Sequence, residues 1–200
     1  MLHHRLNKLS FLPIAIFLFI IGLVSCQEKQ IPVESISSAI EINKPKSDAT
    51  KESDERFLAK AAEFNFEGVL LGKLAVRRAT SEEVKAMAQM MEDQHRETKS
   101  AIASLAIYKS IPIPEEPTQA NHDAYDKLNQ FTTIDFDIAY CDMVIQSHKD
   151  AVALCENATH DNHDADVQKL ASKMLTDMRS HLAKAEELKA HLNPISELIR

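Results

Sequence analysis

The chain of 200 residues has no tryptophan, only 3 glycines and only 3 cysteines. This poverty in glycine, together with plentiful alanine, leucine, lysine, glutamate and methionine, favours helix over sheet. The chain also lacks a basic patch and carries a formal charge of −7, which argues against a nucleic-acid partner. With 44% hydrophobic and 26% charged residues, its length suits one domain with a real core plus accessory segments.

The first 25 residues have the pattern of an export signal. Arg5 and Lys8 precede an apolar run over residues 11–24, which is short and proline-interrupted for a membrane span of ~20 residues. The run ends at Leu23-Val24-Ser25-Cys26, which resembles the lipobox of bacterial lipoproteins, where the cysteine is acylated and becomes the first mature residue. An ordinary cleavage site or an uncleaved anchor is the alternative.

The lipobox resemblance implies a location and a partner. Residues 1–25 would be a signal peptide, and Cys26 would hold the protein to membrane lipid on the periplasmic or outer-surface side of the cell envelope. The mature chain would carry a formal charge of −9, because the leader contains two basic residues and no acid. Residues 26–53 contain scattered proline, serine and charges without a sustained period, which predicts a tether.

The two remaining cysteines are predicted to be free thiols. Cys141 and Cys155 fall on one predicted helix, where 14 residues correspond to ~21 Å, far beyond the reach of a disulfide.

Apolar residues recur at helical spacing in four long segments, at about residues 54–79, 81–107, 133–158 and 164–192. Thr80 with Glu83 is predicted to cap the second segment, and Thr132 with Asp135 the third. Asn193-Pro194 is predicted to end the fourth. Three prolines exclude a helix over residues 110–117, and a short amphipathic helix is expected at about 119–131.

This pattern predicts an all-α fold. The expected architecture is a ferritin-like four-helix bundle over residues 54–193, with a long connection and a short extra helix between the second and third long helices. Residues 194–200 would form a C-terminal tail.

Histidines interrupt three of the apolar helix faces. His95, His148 and His181 lie about 14 to 17 residues into helices of about 25 residues, which places each near mid-height in whichever direction its helix runs. Glu67 lies about 13 residues into the first helix. The four side chains are therefore expected to share one layer.

Two interpretations of this layer stay open. Imidazole and carboxylate are the usual ligands of Zn, Fe, Mn and Cu, so His95, His148 and His181, with Glu67 and Asp177, are candidate metal ligands. Further polar side chains that would support them are Glu92, Asp137 and Tyr140. Alternatively, the histidines hydrogen-bond to one another or to nearby polar groups and form a metal-free layer that fixes the helix register.

A di-iron centre is a third, less complete possibility. Glu92-x-x-His95 has the Glu-x-x-His spacing of di-iron bundles. Such a centre needs a second copy of the motif and two further glutamates, and Asp177-x-x-x-His181 has a different spacing.

From about Phe57 to His191, the chain resembles the exported bacterial proteins grouped as domain-of-unknown-function family 4142. The segments that carry the resemblance lie in all four long helices: Leu71-Gly72-Lys73-Leu74-Ala75, Val84-Lys85, Met87-Ala88, Met91, His95, Phe136-Asp137, Tyr140, Met143-Val144, His148, His181-Leu182 and Ala185. Where family members commonly have an acid directly before the second-helix histidine, this chain has Gln94. The resemblance implies a ferritin-like fold and an exported protein, and it implies no reaction.

Two classes of function follow from the sequence. The first is a non-catalytic envelope protein that binds a metal ion or a protein partner through its bundle. The second is a metal-dependent redox or hydrolytic enzyme that uses the three histidines. No nucleophile triad, phosphate loop or glycine-rich motif supports catalysis independently.

Overall fold

The computed structural model describes residues 48–160 and 163–199. In this part of the chain it contains five helices and no strands, which confirms the all-α prediction. The helices are α1 (Asp48–Arg78), α2 (Glu82–Lys109), α3 (Gln119–Asn129), α4 (Thr133–Ala158) and α5 (Ala165–Ile199). The predicted signal peptide, Cys26 and most of the predicted tether lie outside the described residues.

The four long helices pack most extensively as two pairs, α1 with α2 and α4 with α5. Smaller contacts between α1 and α4 and between α2 and α5 join the pairs, and α3 lies on α1. We name the two ends of the domain after buried aspartates. At the Asp54 end, Asp54 of α1 meets His163, which precedes α5; at the Asp137 end, Asp137 of α4 meets Thr80, which follows α1.

The connection from α2 to α4 therefore returns along the domain. Residues 110–118 contain no helix, as the three prolines predicted, and α3 follows directly. Thr118 caps α3: its side chain accepts from the Asn121 backbone, and the Asn121 side chain accepts from the Thr118 backbone. The Thr118 hydroxyl also donates to Glu63 at 2.7 Å, which fixes the start of α3 on α1.

The apolar core consists of two clusters. One, towards the Asp137 end, includes Leu74, Met91 and Tyr140. The other, towards the Asp54 end, includes Phe57, Ile102 and Met174. Cys141 and Cys155 are buried free thiols, as predicted, and burial raises the pKa of each to about 12.

Several predicted helix ends were wrong. Helix α1 begins at Asp48, within the predicted tether, and α5 continues through Pro194 to Ile199. Proline removes its own N–H donor but keeps a helical φ, so a helix can continue past it near an exposed terminus. Ser81 rather than Thr80 is the N-cap of α2, where its hydroxyl oxygen accepts from Val84. Thr132 precedes α4 without a capping hydrogen bond from its side chain.

Asp137 replaces the predicted cap at the α1–α2 turn. Its fully buried carboxylate accepts the Thr80 backbone N–H at 2.9 Å, the Thr80 hydroxyl at 2.6 Å and the Ser81 backbone N–H at 2.7 Å. One side chain on α4 thus satisfies donors that the turn leaves without helical partners. Asp137 thereby connects the two helix pairs at this end.

Replacement of Asp137 by alanine should lower the free energy of unfolding by roughly 2–4 kcal/mol, because it leaves buried N–H donors without an acceptor. Urea denaturation measures the change. Asp142→Ala is the matched control on the same helix, since it removes only a partly exposed ion pair with Lys189 and should cost at most about 1 kcal/mol. Equal losses in the two variants would show that the Asp137 carboxylate does not hold the turn.

Candidate metal centre

Three histidine side chains meet in the interior of the domain. His95 of α2, His148 of α4 and His181 of α5 are 1%, 2% and 1% exposed. Their rings contact one another edge to face, with centroids 5.2 to 5.4 Å apart. One nitrogen from each ring lies within 4.8 Å of the other two. The structure thus assembles the three histidines in one layer.

The orientation of the His95 ring is set by Asn65 of α1. The fully buried Asn65 amide donates to the carbonyl oxygen of Ala61 at 2.7 Å, which leaves its own oxygen as an acceptor. His95 Nδ1–H donates to that oxygen at 2.9 Å. Because a neutral imidazole carries one proton, the other nitrogen of His95, Nε2, presents a lone pair.

His148 and His181 have comparable outer partners. His148 Nδ1–H donates to the backbone carbonyl of Val144 at 2.9 Å, so its Nε2 presents a lone pair. Gln94 of α2 directs its side-chain oxygen at His181 Nε2, which donates to it and leaves Nδ1 as the inward nitrogen. His148 Nε2 and His181 Nδ1 are 3.2 Å apart.

The three inward nitrogens therefore carry lone pairs and no protons, and each could coordinate a metal ion. His95 Nε2 has no hydrogen-bond partner, and it is the one buried side-chain nitrogen or oxygen in that position among the described residues. A metal-bound histidine usually donates its second ring N–H to an acceptor, and all three histidines here do so. The 3.2 Å separation of the nitrogens of His148 and His181 is close to the ~3.3 Å that tetrahedral ligation at 2.0–2.1 Å requires.

Burial keeps the three imidazoles neutral. The pKa of His95 lies well below its usual value, mainly because of desolvation and to a smaller extent because of the charges of the other two histidines. Desolvation and His181 lower the pKa of His148 to about 3, and desolvation also lowers the pKa of His181. Neutral imidazole is the form that binds a metal ion, so protons compete little for these nitrogens at neutral pH.

Helix α1 contributes one aromatic ring and two glycines next to the histidine layer. The Phe64 ring contacts the rings of His95 and His148 edge to face, at 5.1 Å in each case. A Cβ atom at Gly68 would lie 2.3 Å from His95 Cδ2. One helical turn later, a Cβ at Gly72 would lie 3.1 Å from the carbonyl oxygen of Ala88. The two glycines therefore allow α2 and the His95 ring to approach α1 closely.

The predicted carboxylate ligands do not join the histidines. Glu67 lies in a groove between α1 and α4, where it shares the lining with Ser147 and Asp150. Burial and the neighbouring Glu63 raise its pKa, and a hydrogen bond from Ser147 opposes them. Asp177, one helical turn before His181, is partly exposed and pairs with Lys173 at 3.4 Å. A helix position fixes height, but the angle around each helix axis directs these two carboxylates away from the layer.

The predicted supporting residues also have other partners. Glu92 forms an ion pair with Arg96, so it does not complete a di-iron motif with His95. Asp137 holds the turn at the end of the domain. The Tyr140 hydroxyl contacts Met91 Sδ at 3.8 Å within an apolar cluster.

Sequence reasoning missed Asn65 and Gln94, which are the outer partners of two histidines. A signal for Asn65 does exist, because it lies four residues after Ala61 on the buried face of α1, where an amide must find partners. The family resemblance did single out Gln94, because family members commonly have an acid at that position, but an exposed glutamine on a helix gives no indication of its partner.

Gly68→Ala should displace the His95 ring and lower the free energy of unfolding by roughly 1–3 kcal/mol, although alanine is the better helix former. Urea denaturation and the ring N–H signal of His95 in NMR spectra report the two effects. Gly72→Ala is the matched control, because its new methyl group meets α2 away from the ring; it should leave that signal in place. An unchanged His95 signal in Gly68→Ala would contradict the close approach.

The free energy of unfolding should fall as the pH falls below ~6.5. A histidine in the unfolded chain is protonated below that pH, whereas the pKa of folded His148 is about 3, so protons bind preferentially to the unfolded state. Each such histidine contributes at most about 1.4 kcal/mol per pH unit to the slope. Unfolding free energies measured between pH 7 and 4.5 should therefore fall less steeply in His148→Gln than in the wild type. The exposed His122, replaced by glutamine, provides the control. Equal slopes in wild type and His148→Gln would show that His148 titrates normally.

None of the helices in the described part of the chain combines the length and the apolar character that crossing a bilayer requires.

Comparison with known proteins supports the fold and gives a family. Two solved structures of DUF305 proteins resemble the chain with a TM-score of 0.62 each, and each similarity covers 70% of this chain. One is a DUF305 fragment from Deinococcus radiodurans, with 16% identity and 96% of that chain covered. The other, assigned as a secreted protein of Streptomyces coelicolor, has 15% identity and 92% coverage. No curated protein matches the chain. The model of the family described as "Domain of unknown function (DUF4142)" matches residues 41–188, and the chain belongs to this family.

Proposed function

We propose that the protein is an exported, lipid-tethered envelope protein that binds one transition-metal ion at His95, His148 and His181. The observation that carries the metal proposal is that each of the three histidines has an acceptor for a ring N–H on its outer side. Asn65, Val144 and Gln94 each accept an outer N–H, and this arrangement leaves three lone pairs facing one another in a buried space. A metal ion would use all three at once.

The donor set favours particular metals. Three neutral imidazoles without a carboxylate suit Zn, Cu, Fe or Ni better than Mn, which prefers oxygen ligands. The ligands come from α2, α4 and α5, so a bound ion would join the two helix pairs. We infer that the four long helices form a ferritin-like four-helix bundle, since ligands in such bundles project inward from separate helices.

Export and tethering have separate support. The sequence pattern of residues 1–25 and the lipobox-like Leu23-Val24-Ser25-Cys26 support them, and a structurally similar protein is assigned as secreted. The deep burial of the histidines favours a firmly held ion over a metal that turns over substrate. Intact mass analysis of protein from bacterial membranes tests the tether, because acylation of Cys26 adds the mass of its acyl groups.

Untagged protein stripped with a chelator should bind Zn²⁺ or another late transition metal in a 1:1 ratio. Calorimetric titration gives the stoichiometry, and thermal unfolding should shift upwards; free metal at 100 times Kd adds about 2.7 kcal/mol of stability. His148→Ala should abolish both effects by removing a ligand.

His122→Ala is the control, because it removes an exposed histidine of α3 and should bind metal normally. Absence of stoichiometric binding and of any thermal shift with Zn, Cu, Fe and Ni would reject the metal proposal. The same rejection would follow if His148→Ala bound metal as well as the wild type.

A further inference from the structure

The Asp54 end exposes two large apolar side chains on the last turn of α2. Ile107 is 80% exposed and Tyr108 78%. Ser110 then adopts a left-handed conformation with φ of 54°, so the chain leaves the helix axis and Ile111 turns back into the core. An apolar groove beside Ile107 is lined by side chains of α1 and of the segment after α2, including Phe66, Ile111, Pro112 and Ile113.

This surface lies at the end of the domain where residues 1–47 join α1. Three contacts establish the position. Asp54, on the second turn of α1, accepts from His163 at 3.0 Å, and Lys109, next to Tyr108, pairs with Asp164 and with Asp166 at 3.1 Å. The start of α1, the end of α2 and the start of α5 therefore meet at the same end.

The segment between Cys26 and α1 limits how far the domain can move from the membrane. Twenty-two residue steps separate Cys26 from Asp48, the first residue of α1, and they span at most ~75 Å when fully extended. A covalent tether of this length raises the effective concentration of the attached end at a membrane. Contacts too weak to hold a free protein can therefore dock a tethered one.

We infer that the Asp54 end docks on the lipid bilayer surface through Ile107 and Tyr108. This inference rests on the tether in the proposed function and is independent of the metal site. Isoleucine enters the edge of the acyl region, while a tyrosine places its ring at the interface and its hydroxyl among the headgroups. Two further lysines lie close by for headgroup phosphates, because Lys169 and Lys173 share a shallow groove with Tyr108.

The size of the patch favours lipid over a second copy of the chain. Two side chains offer only a few hundred Å², whereas a stable protein interface needs about 800 Å² from each partner. Insertion into a bilayer requires no complementary surface, so a small protruding patch suffices when the tether supplies proximity.

The absence of tryptophan from the chain makes the docking directly measurable. Tyr108→Trp introduces a single tryptophan on the patch. Phe131→Trp is the matched control, because Phe131 is a partly exposed aromatic residue near the Asp137 end, where its carbonyl accepts from Arg78. The mature chain of each variant is coupled through Cys26 to a maleimide lipid in phosphatidylcholine–phosphatidylglycerol vesicles, with and without brominated acyl chains. Cys141 and Cys155 are buried and should not react.

The emission of Tyr108→Trp should shift to the blue by about 10 nm and be quenched at least twofold by the brominated lipid, while Phe131→Trp changes little. Addition of Ile107→Ser to Tyr108→Trp should weaken the quenching. Absence of quenching, equal quenching of the two variants, or a blue shift that depends only on protein density would overturn the inference, the last by indicating a second copy. Because the coupling is chemical, failure of Cys26 acylation in cells is detected separately by mass analysis.

Discussion

Burial of three imidazoles at the centre of an apolar core is the constraint on which the rest of the structure depends. The histidines lie between two apolar clusters, one that includes Met91 and Val144 and one that includes Ile102 and Met174. Each of these residues is within two helical turns of a histidine on its own helix. A shift of α1 or α5 relative to α2 would break the hydrogen bond of His95 to Asn65 or that of His181 to Gln94, and such a loss costs more than an apolar mismatch. The layer therefore constrains the register of α1, α2 and α5 beyond what the apolar clusters supply.

Other features of the fold can be understood as maintaining this layer. Gly68 and Gly72 bring α1 and α2 close enough for Asn65 to reach His95. At one end, Asp137 ties α4 to the turn between α1 and α2; at the other, Asp54 ties α1 to the segment before α5. These buried polar contacts join the two helix pairs outside the apolar clusters. They help to hold the pairs in the relative position in which His95, His148 and His181 meet.

The sequence predicted the height of the histidines better than the chemistry around them. Helical spacing alone located His95, His148 and His181 near mid-height, because the rise per residue of a helix is nearly constant. Glu67 and Asp177 shared that height, but their angle around the helix axis depends on which stripe is buried, and the first helix begins earlier than its composition indicated. Asp137 was recognised as a notable residue of α4, yet its partners are far along the chain, in a turn that local capping rules assign to Thr80. Pairings of this kind depend on tertiary packing, which no local pattern encodes.

Burial of the layer would affect protons and the proposed metal ion differently. A proton is shared by at most two of the nitrogens, so much of its solvation in water is lost in the core; this loss lowers the pKa of all three histidines. A transition-metal ion accepts three donors simultaneously and recovers more of its lost hydration through ligand bonds. The outer N–H groups are already satisfied by Asn65, Val144 and Gln94, so a metal ion at the proposed site would leave these hydrogen bonds in place. The burial that lowers the proton affinity of the layer would thus leave all three lone pairs available to a metal ion at the proposed site.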